Sequence, residues 1–308
     1  MIKRLGIDEN GLGPIMGPLI ITGVETEKTN KDKNNQHNIK DSKKIFRRKQ
    51  EDFKTLEKIF LRYSKTNFKT ISDVFSKSML KDEIERICPI GPDKICFSNK
   101  ISLPVWIKEE GNEDLLQNGT DLNLPGLHFG EVKRAIFMVV CPNILSKYIE
   151  RFGSKFSANS FFMVRLGLKS SAEEVICGKS GYKKSYEREI SLAIEDERDK
   201  SLNLKIVMES EKESIYEIMN NGEIIKRFYF IKDADQKFPE VALASIIGKY
   251  IREISMFSIT KFIEPNSQKP ISGYGRKNAF EEISRKIIEK SKYEFSKEIP
   301  KTCIIRER

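Results

Sequence analysis

The stretch KRLGIDENGLGPIMGPLIITGV, residues 3–24, decides the fold because it encodes two strands and the turn between them. Residues 3–8 and 18–24 are apolar and partly β-branched, which predicts β-strands, and the glycines and prolines between them are typical turn residues. Two acids, Asp8 and Glu9, stand where the first strand meets the glycine-rich tract. They are explained either by a polar turn after a strand or by a functional site.

The composition predicts a soluble globular protein with a basic surface. The chain has 308 residues, of which 39% are hydrophobic and 32% are charged, and its formal net charge is +10. This length suffices for one large domain or two modest ones with a substantial core. The positive surplus suits a polyanionic partner, nucleic acid above all, although lysines that serve solubility explain it equally well.

The cysteines argue against a disulfide-built or zinc-binding protein. The five are an odd, scattered set, the spacing of Cys88 and Cys96 does not match a zinc knuckle, and the chain has only two histidines. Reduced thiols predict a cytoplasmic location. The apolar runs near the N-terminus are short and broken by glycine and proline, so we expect neither a signal peptide nor a membrane span.

The rest of the chain predicts an α/β domain with a mixed β-sheet flanked by helices. Residues 41–63 predict a helix with Asp41 or Ser42 as its N-cap. Residues 81–130 hold prolines and glycines that prevent long elements, and we interpret them as an irregular insertion. The remaining predicted elements are strands at 173–177, 203–208 and 226–232, and helices at 130–152 (with strand potential at 135–140), 185–199, 239–259 and 279–292. We expect a single domain over residues 1–308, with a C-terminal helical extension at 256–308.

A second acidic segment occurs in FIKDADQKFPEVALASIIGKYIREISM, residues 230–256. Asp233 and Asp235 follow a predicted strand, and Pro239 suits the first turn of the helix after it. Small residues on that helix permit close approach to a sheet or to a nucleic-acid backbone. The two acids either cap the helix or form a site together with Asp8.

Four motifs, taken in order, resemble those of the ribonuclease HII, or type 2 ribonuclease H, family. They are DENGLGP at 8–14, DSKK at 41–44, ADQKFPEVALASIIGKYIRE at 234–253 and SGYG at 272–275. The family carries D-E-A-G-R-G-P, D-S-K-K, A-D-x-K-[YF]-P-x-V-x-x-A-S-I-x-x-K-x-x-R-[DE] and G-S-G-Y. The resemblance spans most of the chain, with a poor match in the middle, and it implies a ribonuclease H-like sheet.

The resemblance implies a metal-dependent endonuclease that hydrolyses the RNA strand of RNA/DNA hybrids. In the implied mechanism, four carboxylates and the scissile phosphate hold two ions, Mg²⁺ or Mn²⁺. One ion positions and acidifies the attacking water and the other stabilises the leaving 3′ oxygen. Hard oxygen ligands suit these ions. Asp8, Glu9 and Asp235 match three of the carboxylates, as catalytic residues and metal ligands. The implied partner is nucleic acid; protein partners are not indicated.

Further matched residues are implied to bind the substrate. Gly11 and Gly13 allow backbone groups to approach the ribose, whose 2′-OH marks RNA. Lys43 and Lys44 match phosphate contacts, although a solvated helix start explains them nearly as well. Tyr274 is implied to stack on the nucleic acid near the cleavage point; alternatively it is a turn aromatic that fills a surface groove.

Two positions depart from the family pattern. Leu12 replaces the arginine between the two glycines, which puts a special grip on a single embedded ribonucleotide in question. The fourth carboxylate, normally an aspartate that closes a central strand, falls at Gly178. Glu209, which follows a neighbouring strand, is the alternative fourth ligand.

The missing carboxylate leaves two functions open. We favour the active ribonuclease H; the alternative is a catalytically degenerate homologue that binds RNA/DNA hybrid or structured nucleic acid without cleaving it. A DNA endonuclease or a strand transferase on the same fold is disfavoured by the DSKK and SGYG motifs.

Overall fold

The computed structural model describes residues 2–28, 46–64, 66–107, 131–197 and 201–306. Within these ranges the strands form one seven-stranded sheet. The strands are β1 (Ile2–Asn10), β2 (Leu19–Lys28), β3 (Glu131–Val140), β4 (Glu174–Gly178), β5 (Leu202–Glu209), β6 (Glu213–Asn220) and β7 (Glu223–Ile231). The helices are α1 (Gln50–Ser64), α2 (Ile71–Phe75), α3 (Lys81–Ile87), α4 (Pro142–Phe152), α5 (Lys155–Leu168), α6 (Glu187–Asp196), α7 (Ala234–Lys237), α8 (Pro239–Ile263) and α9 (Lys277–Phe295), followed by a 3₁₀ turn, Lys301–Cys303.

The sheet is mixed, and its order is β3-β2-β1-β4-β7-β6-β5. The three central strands β1, β4 and β7 are parallel, whereas the outer pairs are antiparallel. Ile7 pairs with Cys177, and Gly178 pairs with Ile231. The carboxyl ends of the three parallel strands therefore meet at one edge of the sheet, where open α/β sheets commonly bind ligands. The expected α/β fold with a mixed sheet flanked by helices is confirmed.

Helix α8 packs closely across β1 and β2, and nearly all of its residues are buried. Gly6 lies beneath it: a Cβ at this position would lie 2.5 Å from the backbone of Glu240 and Val241. On the helix side, a Cβ at Gly248 would lie 2.6 Å from the Thr22 hydroxyl. The small residues of this segment thus serve contact with the sheet, which is one of the two uses expected for them.

Several element boundaries differ from the sequence-based expectation. Strand β1 does not end at Asp8, because Asn10 still pairs with Ile20 of β2. Residues 131–140, expected to be helical with some strand potential, form strand β3 against β2. Strand β6 was not predicted at all; it joins β5 to β7 as the middle of an antiparallel meander.

The first predicted helix begins nine residues later than expected, at Gln50. The residues before Gln50 form a turn instead of a helix. Arg48 has a φ of 61°, and the Asp52 carboxylate accepts hydrogen bonds from the backbone N–H groups of Arg47 and Lys49 at 2.7 and 2.9 Å. Asp52 therefore satisfies backbone donors ahead of the first turn, as a capping side chain does. The predicted caps and DSKK motif, residues 41–44, lie outside the described residues.

The described part of the predicted insertion, residues 81–107, packs against the main core through a buried carboxylate. Glu57 of α1 accepts the N–H groups of Val105, Trp106 and Ile107 at 2.6, 2.7 and 2.8 Å. It also accepts the hydroxyl of Tyr250 on α8 at 2.8 Å. An irregular segment without a ladder of its own is thereby held to two helices. The rest of the predicted insertion, 108–130, lies outside the described residues.

Helix α8 runs without interruption to Ile263, and its last turns fall within the expected C-terminal helical extension, residues 256–308. Beyond it, α9 and the final turn pack on the end of α8 around a second apolar cluster that includes Ile259, Phe280, Ile287 and Ile304. No helix within the described ranges combines the length and apolar character needed to cross a membrane.

Candidate active site

Asp8 lies at the carboxyl edge of the sheet, between the end of β1 and helix α8. The hydroxyl of Ser245 donates a hydrogen bond to the Asp8 carboxylate, and Lys249, one helical turn further along, lies close enough to interact with its charge. The pKa of Asp8 is raised to about 6, chiefly by burial and also by the nearby charge of Asp235, against the opposing effects of Ser245 and Lys249. Asp8 is therefore a half-buried carboxylate whose charge is costly without a cation.

Glu9 contacts helix α5 on the opposite face of the sheet from Asp8. Because β1 continues past it, its side chain leaves the strand on the other face from Asp8. It is hydrogen-bonded to Asn159, a fully buried residue of α5 whose amide nitrogen also donates to Ser180 at 2.9 Å. Burial raises the pKa of Glu9 well above its usual value, with further contributions from the charges of Asp8 and Asp235.

Asp235 comes from the one-turn helix α7, directly after β7. Its charge acts on both Asp8 and Glu9, so the structure brings the three predicted carboxylates into one electrostatic group. The neighbouring Asp233 adopts a left-handed conformation with φ of 56° and makes no capping hydrogen bond. The interpretation of Asp233 as a simple helix cap is therefore not supported.

Gly178 lies beside Asp8 at the end of β4. A Cβ at this position would lie 3.6 Å from Oδ1 of Asp8 and would meet no other atom within 4 Å. The space thus accepts a side chain directed at Asp8, which is where the family pattern places its fourth carboxylate.

Glu209 does not join this group. It lies on β5, the outermost strand, four strand spacings or roughly 19 Å from β1. There it is exposed and accepts a hydrogen bond from the hydroxyl of Tyr216 on β6. Glu209 is therefore too far from Asp8 to replace the missing fourth ligand.

The donor set of the site suits a hard divalent cation. Clustered carboxylates with raised pKa values are the groups whose charge a bound cation relieves, and Mg²⁺ takes few protein ligands while it keeps several waters and substrate oxygens. Among the described residues, however, no three His, Cys, Asp or Glu side chains converge closely enough to hold a metal ion. The chemistry fits Mg²⁺ or Mn²⁺, although the described residues do not form a complete set of protein ligands.

The glycine loop, residues 11–17, follows β1 directly and borders the carboxylates. Gly11 has a φ of +100°, and a Cβ there would lie 2.7 Å from Nε of Arg252. Both the backbone conformation and the lack of space therefore require glycine at this position. Gly13 is exposed at the tip, and a Cβ on it would lie 3.4 Å from the ring of Tyr274. Three of the predicted substrate-binding residues, Gly11, Gly13 and Tyr274, are thus brought together.

Tyr274 presents most of its ring to solvent beside this loop, with 61% of the side chain exposed. The guanidinium of Arg252 lies 5.8 Å from the ring centroid, a cation–π distance that orients the ring. Leu12 is half-buried and packs against the main core. Lys43 and Lys44, the predicted phosphate contacts, lie outside the described residues, and their role stays a prediction.

Sequence reasoning missed Asn159 as a neighbour of Glu9 and Arg252 as a support of the glycine loop. Arg252 falls within the matched helix motif, so its place in that motif was a signal. Asn159 gave none, because it lies in a helix 150 positions from Glu9 with no motif around it.

The sequence model of the family described as Ribonuclease HII matches residues 5–95 and 179–303, which is most of the chain. A ribonuclease HII of Methanococcus vannielii is 39% identical over 49 residues, an alignment that spans 16% of this chain and only 20% of that relative. Gly178 falls just outside the matched ranges.

Among solved structures, the PCNA:RNase HII complex from Archaeoglobus fulgidus contains a similar chain, with a TM-score of 0.40 and 17% identity over 100% of this chain and 95% of that one. The ribonuclease H2 of Pyrococcus horikoshii gives 0.40 and 16% over 99% and 92%. Bst-RNase HIII in complex with Mn²⁺ gives 0.41 and 14% over 99% and 66%.

Proposed function

This chain belongs to the ribonuclease HII family, and we propose that it is an endonuclease that hydrolyses the RNA strand of RNA/DNA hybrids with Mg²⁺ or Mn²⁺. The observation that carries the proposal is that the charges of Asp8, Glu9 and Asp235 act on one another at the carboxyl edge of the parallel strands, beside a glycine loop bordered by an exposed tyrosine. A carboxylate group beside an open backbone loop is suited to a phosphodiester and the ribose next to it.

Each part of the site has a chemical task in this proposal. Asp8 and Asp235 would hold the divalent ions, whose Lewis acidity activates the phosphodiester for hydrolysis when they are bound. Ser245 fixes the orientation of the Asp8 carboxylate through its hydrogen bond. Exposed backbone at Gly13 would meet the ribose 2′-OH, and the Tyr274 ring would stack on the nucleic acid.

A second function is favoured by one specific observation, the glycine at position 178. Without a carboxylate there, the site has one ligand fewer than the family pattern, and an ion bound to the remaining ones is held more weakly. In this alternative the chain binds hybrid or structured nucleic acid through the same loop and aromatic ring without cleaving it.

Cleavage assays on three proteins separate the two functions. Purified wild type, Asp8→Ala and Gly178→Asp are each incubated with a labelled RNA/DNA hybrid and either Mg²⁺ or Mn²⁺. Cleavage by the wild type that disappears in Asp8→Ala supports the enzyme. Cleavage by Gly178→Asp alone identifies the natural chain as a degenerate homologue. Hybrid binding without cleavage by any of the three refutes the proposed hydrolysis and supports the binding function.

A further inference from the structure

The segment 304–306, near the C-terminal end of the described chain, lies against the glycine loop and continues it as a short backbone pairing. Gly17 donates its N–H to the carbonyl of Ile304 at 3.2 Å, and Arg306 donates its N–H to the carbonyl of Ile15 at 2.9 Å. Met16 and Ile305 form an antiparallel bridge between these two hydrogen bonds. The loop thus depends on a segment almost 300 positions away for its shape.

The side chain of Arg306 adds a second set of contacts inside the loop. Its guanidinium donates to the carbonyls of Gly11 and Leu12, to Pro14 at 3.1 Å and to Gly17 at 2.7 Å. Only 6% of the residue is exposed. One side chain therefore binds four of the seven carbonyls in a loop whose glycines otherwise allow it many conformations.

The loop carbonyls, and not an acid, compensate the charge of Arg306. None of the ion pairs found among the described residues includes Arg306, and the nearby charge is the like charge of Arg252. Burial and the like charge of Arg252 together lower the pKa of Arg306 to about 9, so the guanidinium still carries its proton at neutral pH. A buried cation whose Nη1 and Nη2 groups donate to one loop holds that loop firmly, because each lost contact leaves charge unpaired.

Fixing the carbonyls also fixes the donors of the loop. The peptide group is planar and trans, so a carbonyl turned toward the guanidinium turns the N–H of the same peptide away from it. The carbonyls of Gly11 and Leu12 belong to the peptides that carry the N–H groups of Leu12 and Gly13. Arg306 therefore sets the direction of the two backbone donors nearest the exposed tip of the loop.

We propose that Arg306 is a positioning residue that holds the glycine loop in the conformation that distinguishes ribose from deoxyribose. The proposal rests on the proposed function, since it assigns the loop to ribose recognition. It differs from a structural role because it predicts loss of discrimination between two duplexes, which general destabilisation does not produce.

The test compares Arg306→Gln and Arg306→Lys with a matched control, Lys226→Met. Lys226 is also a buried cation, 7% exposed, and it donates to the carbonyls of Ser170 and Ala172 at 2.9 and 2.6 Å, away from the glycine loop. Dissociation constants for an RNA/DNA hybrid and for a DNA duplex of the same sequence are measured in EDTA, so that cleavage does not interfere. Hydrogen exchange of residues 11–17 is followed in the free proteins.

We expect Arg306→Gln to reduce the ratio of hybrid to duplex affinity about tenfold and to speed exchange in the loop, while Arg306→Lys keeps part of both and Lys226→Met keeps the wild-type ratio. An unchanged ratio in a folded Arg306→Gln protein overturns the proposal. If wild type itself shows no preference for the hybrid, there is no discrimination for Arg306 to maintain and the proposal is overturned, whereas the proposed hydrolysis is decided separately by the cleavage assay. Unchanged loop exchange in Arg306→Gln would also overturn the proposal, because it would show that Arg306 does not hold the loop.

Discussion

Restoring a carboxylate at position 178 should make the protein depend on a divalent cation for its stability. A Cβ at Gly178 lies 3.6 Å from Oδ1 of Asp8 with no other atom in its way, and the glycine does not adopt a left-handed conformation. Gly178→Asp therefore places a second carboxylate beside the first. At a separation of about 5 Å and an effective dielectric constant of about 20, two such charges repel by about 3 kcal/mol.

The assay is thermal unfolding at pH 8 in EDTA and in increasing Mn²⁺, with Gly178→Asn as the matched control of equal size and no charge. In EDTA, Gly178→Asp should melt about 5 °C below wild type, whereas Gly178→Asn should stay close to it. Mn²⁺ at 100 times its dissociation constant stabilises a folded protein by about 2.7 kcal/mol, which would return the Gly178→Asp variant to the wild-type melting temperature.

The result that would refute this reasoning is the same melting temperature for the aspartate and asparagine variants in both EDTA and Mn²⁺. Position 178 would then not face Asp8 in solution, and Gly178 would no longer explain a weak metal site.

Three further predictions follow from the contacts described above. The pKa of Asp8 is raised from 3.8 to about 6, chiefly by burial, so metal-free wild type should lose stability as pH rises between these values. Asp8→Asn should show a shallower slope, because of these two neighbouring carboxylates only Glu9 then keeps a raised pKa, and should be more stable at pH 7 by up to about 3 kcal/mol in urea unfolding. An equal or steeper slope in the variant would contradict this. Tyr274→Ala should weaken hybrid binding by about 1–3 kcal/mol with little change in stability. The control is Tyr293→Ala, at a tyrosine of α9 that is 90% exposed, and it should change neither binding nor stability. Equal losses of binding in the two variants would exclude stacking by Tyr274. Glu57→Gln places an amide NH₂ group against backbone N–H donors and should destabilise the protein by about 3 kcal/mol in urea unfolding. An unchanged denaturation midpoint would show that residues 105–107 do not need this acceptor.

The elements that could be predicted from the sequence are those whose pattern lies within one contiguous segment. Strand β1 and helix α8 were found because an apolar run and a helical period identify them locally. Asp8 and Asp235 were identified by motifs that include their neighbours. The structure shows that these segments meet, since the carboxyl ends of β1 and β7 lie on either side of β4 at one edge of the sheet.

The parts that were missed depend on contacts between distant positions. Residues 131–140 form a strand because they pair with the edge of β2; their own sequence indicated strand potential only at 135–140, within a segment expected to be helical. The start of α1 at Gln50 depends on a turn with a left-handed Arg48 whose guanidinium binds Glu253, 205 positions away. Asn159 and Arg306 reach the site in the same way, so a local pattern carries no sign of them.

The pairing of segment 304–306 with the glycine loop has a consequence for the order in which the protein becomes functional. A contact separated by 295 positions closes a loop that contains almost the whole chain, and such contacts form late because loop closure costs entropy before they stabilise anything. During synthesis, the glycine loop therefore leaves the ribosome long before segment 304–306 is made. The loop should acquire its native conformation only after synthesis of the intervening sheet and helices, because until then it lacks the contacts with Arg306.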